Sequence, residues 1–173
     1  LGAAAQAWKS SGLENFRGLN RERMGIYLGS GEGSLDFDNY VAANLGGWDR
    51  EKKTLDAVAW SKVAHARMNA TREIEQEPNM PLTHLAMEFG AQGPAYNCLT
   101  ACAASTQAIG EGLRLIQRGD ADVVLAGGTD AAVNPVSVLG FSLIGALSRR
   151  NDDPVHASRP FDQDRDGFVI GEG

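Results

Sequence analysis

The chain has 173 residues, 43% hydrophobic and 22% charged, the size and composition of one globular domain rather than of a disordered segment. A formal net charge of −6 leaves no basic footprint for nucleic acid or anionic lipid, and no run reaches the ~20 apolar residues of a membrane span. Only Cys98 and Cys102 are present, which excludes a disulfide framework and suits a reducing, cytoplasmic setting without nucleic-acid or membrane partners.

In chain order, residues 1–9 (LGAAAQAWK) are strong helix formers, stopped by Ser10-Ser11-Gly12. Residues 24–28 (MGIYL) form an apolar run that enters Gly29-Ser30-Gly31-Glu32-Gly33, the pattern of a buried strand meeting a tight loop. Residues 55–68 place Leu55, Ala59, Val63 and Ala66 on one stripe and predict an amphipathic helix. Residues 80–89 predict another, closed by Gly90 and Gly93-Pro94.

Residues 95–101 have strand length. Residues 103–118 predict a helix with Ala108, Ile109, Leu113 and Ile116 on one face, ended by Gly119-Asp120. Residues 122–126 (DVVLA) form a β-branched strand emptying into Gly127-Gly128. Strand, helix and strand in this order make a βαβ unit, which implies parallel pairing of the two strands and a right-handed crossover. Residues 168–170 start a further strand. The fold class is α/β, with one domain expected over residues 1–173.

Cys102 falls where the strand at 95–101 turns into the following helix, between Ala101, Ala103, Ala104 and Ser105. Such a turn would lift a nucleophile to the carboxyl edge of the sheet, with backbone N–H groups nearby to hold an oxyanion. The helix N-terminus would favour a thiolate. Position alone is evenly balanced between this and an inert buried thiol, because free cysteine is among the most buried residue types.

Cys98, four residues earlier, is expected on the same face of the same strand as a packing residue. His65, His84 and His156 lack metal-ligand spacing and are read as structural. The loop at 29–34 (GSGEGS) departs from a dinucleotide fingerprint at Ser34, so no cofactor and no metal are expected. Between Arg149 and Asp166 charges alternate in sign, which predicts a loop held by ion pairs. The alternative, a carboxylate pair for glycoside hydrolysis among Asp162, Asp164 and Asp166, lacks an aromatic cleft.

Gly93-Pro94 followed by Leu99-Thr100-Ala101-Cys102-Ala103-Ala104-Ser105, with Ile109 further on, resembles the active-site cysteine signature of β-ketoacyl synthases. GDADVVLAGGTDA (119–131), GFSLIGALSRRND (140–152) and SRPFDQDRDGFVIGEG (158–173) resemble further blocks of that family in the same order, and MGIYLGSGEG (24–33) its second strand and glycine loop.

The resemblance implies a thiolase-like layered α/β/α fold, of which this chain would supply most of the first half. The start of that half would be absent, as would the second half with its catalytic histidines and lysine. It implies acyl transfer from a carrier protein's phosphopantetheine thioester to Cys102, then decarboxylative condensation with malonyl-carrier protein, in a homodimer. Glu32, Ala101 and Phe141 would bind substrate. Glu32 stands where the family has a small or aliphatic residue beside the acyl tunnel, Phe141 matches an aromatic lining the acyl pocket, and Gly145 replaces an arginine found in some members. The alternatives are a thiolase using coenzyme A thioesters, or a piece inactive by itself.

Overall fold

The structure, a computed structural model, describes residues 1–31 and 36–171. Its contacts divide into two compact units, Leu1–Thr129 and Asp130–Gly173.

The first unit is built on a parallel sheet. Strand β1 (Met24–Ser30) lies between β4 (Ala95–Cys98) and β5 (Val123–Thr129) in the order β4-β1-β5. A central parallel strand is covered on both faces and therefore needs an apolar run rather than an alternating one. Met24, Ile26 and Leu28 are buried on one face, against Leu85 and Phe89 of helix α5 (Met80–Phe89), with Trp8 of α1 (Gly2–Ser10) packed alongside. The Trp8 and Phe89 rings lie 5.3 Å apart, and the Arg21 guanidinium sits over Trp8. Gly90, with φ +63°, ends α5 in the left-handed conformation that glycine tolerates.

The opposite face carries helix α6 (Ala104–Gln117), which joins β4 to β5. Strand, helix and strand form in the expected order and run parallel, but β4 and β5 do not pair with each other as expected: β1 lies between them. Helix α6 turns Ala104, Ala108, Gly112 and Leu115 to the interior. A Cβ on Gly112 would stand 3.1 Å from both Ala126 and Val124 side-chain atoms, so the small residues set how closely the helix approaches. This corrects the expected apolar face. Ala108 is buried, whereas Ile109, Leu113 and Ile116 form a second stripe at 57%, 56% and 43% exposure.

Strand β5 also runs further than expected. Gly127 and Gly128 lie within it, paired with Leu28 and Gly29, instead of ending it. Strand β4 is shorter, closing at Cys98. At the other end of the sheet, the Arg23 guanidinium grips both Asp122 carboxylate oxygens at 2.7 Å and also donates to Gly119 O at 3.0 Å, tying the entrances of β1 and β5.

Helices α2 (Phe37–Gly47) and α3 (Ala57–Arg67) are joined by a two-stranded ribbon, β2 (Trp48–Asp49) with β3 (Thr54–Leu55). The helix expected from residue 55 starts later because the Asp56 carboxylate caps the N–H groups of Val58 and Ala59, leaving Leu55 in β3. Ala66 is exposed and Ala64 is buried, so the expected stripe is shifted. The hairpin closes over glycine: a Cβ on Gly46 would lie 2.7 Å from Val63, and one on Gly47 2.6 Å from Trp60. A short helix α4 (Ala70–Glu75), capped by Asn69, leads on towards α5.

The second unit contains helix α7 (Pro135–Leu143), whose start is fixed by Asn134 Oδ1 accepting from the Ser137 N–H at 2.9 Å. No strand forms at 168–170 among the described residues. A single parallel bridge, Leu147 with Phe168, takes its place. The alternating charges do hold the following loop. Asp166 accepts from Ser148 Oγ at 2.7 Å and from the Arg149 N–H at 2.9 Å, while Arg159 pairs with Asp162 at 2.8 Å. These donors keep both carboxyls below their ordinary range, led in each case by a backbone N–H, from Arg149 for Asp166 and from Asp164 for Asp162.

Candidate active site

The segment between Cys98 and α6 is a tight 3-10 turn, Ala101–Ala103. Ala101 has φ +47°, the left-handed region that a side chain with a Cβ enters only at a cost. The Ala103 N–H donates to Thr100 O at 3.1 Å, and the Ala104 N–H donates to Ala101 O. Among the described residues no backbone carbonyl accepts from the Cys102 N–H. Thr100 Oγ1 donates to Gln107 Oε1 at 2.8 Å, clipping the chain before the turn onto the first turns of α6.

Cys102 is exposed at the carboxyl edge of the sheet, just ahead of the 14-residue α6. That helix end carries partial positive charge from its aligned peptide dipoles. The flanking Ala101 and Ala103 are exposed as well, so small side chains leave the sulfur approachable. Cys98 does not share its face, contrary to expectation. The strand ends at Cys98 and the turn reverses direction, so Cys98 is buried with Ala104, Ala108 and Tyr27. Burial holds the Tyr27 phenol above its ordinary value, and the Glu111 charge adds to that effect.

Of the other residues singled out from sequence, Ala101 forms the turn itself. Phe141 lies in α7 and makes an edge-to-face pair with Phe168, centroids 5.1 Å apart, within the second unit. Glu32 lies outside the described residues. Gly145 has φ +69°. His84 faces Glu75 at 2.6 Å, His156 faces Asp153 at 2.9 Å, and His65 is exposed on α3. Among the described residues no cluster of His, Cys, Asp or Glu could hold a metal ion.

The sequence reading missed the Thr100–Gln107 link and the contact of Ser30 Oγ with Asn97 Oδ1 at 2.8 Å between β1 and β4. Thr100 and Gln107 are seven residues apart, but Thr100 lies ahead of α6, and Ser30 and Asn97 are 67 apart, so neither link follows from the period of one element.

The family model for the N-terminal domain of β-ketoacyl synthases matches residues 1–173. The chain belongs to the β-ketoacyl synthase family. The mitochondrial 3-oxoacyl-[acyl-carrier-protein] synthase of Arabidopsis thaliana is 42% identical over 154 residues, covering 88% of this chain and 30% of that protein. The ketoacyl synthase alpha subunit of the tetracenomycin polyketide synthase of Streptomyces glaucescens is 38% identical over 179 residues, covering 98% of this chain and 38% of that protein.

Among solved structures, a type II polyketide ketosynthase bound to the hexaketide, in complex with its acyl-carrier protein, superimposes with a TM-score of 0.71 at 27% identity. That match covers 98% of this chain and 39% of the other. The fold is thus the thiolase-like α/β fold of ketosynthases, and this chain spans well under half the length of the β-ketoacyl synthases it matches.

Proposed function

We propose that this chain carries the acyl-accepting cysteine of a condensing enzyme of fatty-acid or polyketide synthesis. The observation that carries the proposal is the exposed Cys102 on a left-handed turn at the N-terminus of α6. The family membership supports it, and the carrier-protein complex of the similar ketosynthase supports a carrier protein as acyl donor. A thiolase working on coenzyme A thioesters is not favoured, because the matching family is the synthase family.

In this reading the Cys102 thiolate attacks the carbonyl of an acyl thioester held by the carrier protein. The C–S bond to Cys102 forms as the pantetheine thiolate leaves. The developing oxyanion is stabilised by the Cys102 N–H, which has no backbone acceptor among the described residues, and by the dipole of α6. Decarboxylation of a malonyl-carrier thioester then supplies the carbanion that displaces the acyl group from sulfur, giving a β-ketoacyl product. Two free cysteines favour a reducing compartment such as the cytoplasm.

The proposal extends to a two-fold dimer. Strand β4 has β1 on one side and, among the described residues, no strand on the other. Pairing with its symmetry mate would satisfy that open edge. Phe141 and Ala101 are proposed to border the acyl chain. Glu32 is proposed to select short or polar chains, so Glu32→Ile would raise turnover of long saturated ones; an unchanged length preference would remove that role.

The deciding experiment incubates the full-length protein and its Cys102→Ala variant with an acyl-carrier-protein thioester and reads the intact mass. The parent gains one acyl group and the variant none. Acylation of Cys102→Ala to the parental extent would refute the assignment.

A further inference from the structure

The sheet is bare where α6 begins. Gly29 of β1 and Gly128 of β5 are partners in register, and both lie beneath the first turn of that helix. A Cβ on Gly29 would stand 2.5 Å from Ala104 O and 2.7 Å from Ser105 N, backbone atoms that cannot rotate away. A Cβ on Gly128 would stand 2.6 Å from Ser105 Cβ and 2.9 Å from Ser105 Oγ. Gly127, one residue earlier on the same strand, would meet nothing within 4 Å.

Neither Gly29 nor Gly128 has a positive φ, so their backbone conformations do not require glycine. What the site requires is the missing Cβ. Two adjacent strands leave a slot one side chain deep, and the start of α6 drops into it.

The turn resting on this slot has little room to give. Ala101 is left-handed, the N–H groups of Ala103 and Ala104 close the 3-10 turn, and the Cys98 thiol donates to the Ala104 carbonyl at 3.3 Å. Thr100 is held to Gln107 from the other side. A displacement of Ala104 and Ser105 therefore passes directly to Cys102, two and three residues before them.

We propose that Gly29 and Gly128 are positioning residues for Cys102, forming a side-chain-free seat that fixes where the first turn of α6, and with it the sulfur and the Cys102 N–H, stands above the sheet edge. The proposal rests on Cys102 being the acyl acceptor, and it deepens that reading by naming what sets the aim of the nucleophile.

The test uses the full-length protein with Gly128→Ala, Gly128→Ala combined with Ser105→Gly, and Gly127→Ala as control. It reads the rate of Cys102 alkylation by iodoacetamide, located by peptide mass, together with kcat and KM for acyl transfer. Gly127→Ala should match the parent within twofold. Gly128→Ala should slow alkylation more than fivefold and lower kcat more than it raises KM. Ser105→Gly removes the two nearest of the three atoms that the new methyl meets, leaving Gly29 O at 3.0 Å, so the double variant should regain at least threefold.

A smaller slowing in Gly128→Ala, or no recovery in the double variant, overturns the seat. Should Gly128→Ala not fold, Ser105→Val enlarges the same contact from the helix side, and fivefold slower alkylation is again required of it. Alkylation needs no carrier protein. A seat that behaves as stated in a protein that never acylates Cys102 would refute the acyl-acceptor reading alone.

Discussion

The thiol of Cys98 donates to the carbonyl oxygen of Ala104 across 3.3 Å, so the buried cysteine grips the helix that the exposed cysteine precedes. The two sulfurs thus face different media. Brief iodoacetamide treatment of the native full-length protein should label Cys102 and spare Cys98, which is 8% exposed. Cys98→Ala should still be acylated by a carrier-protein thioester at near-parental extent, with stability lowered by about 1 kcal/mol, a common cost of a modest core deletion. Equal labelling of both cysteines in the folded state would contradict this arrangement.

Ala101 bears the backbone strain of the turn. A left-handed residue with a Cβ costs roughly 1–2 kcal/mol relative to its relaxed conformation, and a β-branched side chain raises that cost. Ala101→Gly is therefore expected to fold at least as stably as the parent, and Ala101→Val to lose about 1–2 kcal/mol together with most acyl transfer. Thermal midpoints and acylation rates of the two variants check this. A stable, active Ala101→Val would mean that the turn relaxes freely.

The open edge of β4 can be read from its first hydrogen bond. The Ile26 N–H donates to Pro94 O at 2.8 Å, and successive residues of a strand turn their N–H and C=O groups to opposite edges. Ala95 and Asn97 accordingly aim theirs away from β1. Asn97→Pro removes one outward donor, and Asn97→Ala removes only the side chain that Ser30 contacts. Sedimentation of the full-length protein should show the proline variant dissociated or misfolded and the alanine variant still dimeric. A fully active monomer in the proline variant would exclude pairing through β4.

Asp122 reports on acid stability. Its hydrogen bond from Arg23 holds the carboxyl below the ordinary aspartate range, with desolvation opposing and the Arg23 charge assisting. A depressed folded-state pKa stabilises the protein above the unfolded value, near 4, and that contribution disappears as pH falls through the lower folded value. Asp122→Asn should lower the thermal midpoint at pH 7, and the gap to the parent should narrow as pH falls below the unfolded value and close once it passes the lower folded value. A constant gap between the two curves across that range would show that Asp122 does not titrate against Arg23.

Much of this architecture is legible in the chain because its signals are local. The apolar run at Met24 and Ile26, the stop at Gly90 and the small residues around Cys102 each announce their element without reference to the rest. What escaped depends on partners distant in sequence. Helix α6 has two apolar stripes, and periodicity cannot tell that the one containing Ala104, Ala108 and Gly112 is pressed to the sheet while Ile109 and Leu113 face out. Gly127 and Gly128 look like a turn until β1 is placed beside them.

Phe168 to Ile170 has strand composition but, among the described residues, only one bridge partner in Leu147. The separation of Cys98 from Cys102 follows from a left-handed Ala101, which nothing in an alanine's identity foretells. Around the candidate site, residue types were readable and orientations were not.

The order of the sheet sets a timetable for synthesis. Its central strand is translated first, and the register that joins Ser30 to Thr129 cannot close until 99 further residues have been added. At about 5–20 residues per second this is a wait of roughly 5–20 s. Helix α5 can shield one face of β1 once Phe89 has emerged, but the edge that belongs to β5 stays unpaired throughout. On the ribosome the most deeply buried strand of this sheet is therefore the one longest exposed to pairing with a neighbouring nascent chain, and slower translation lengthens that exposure in proportion.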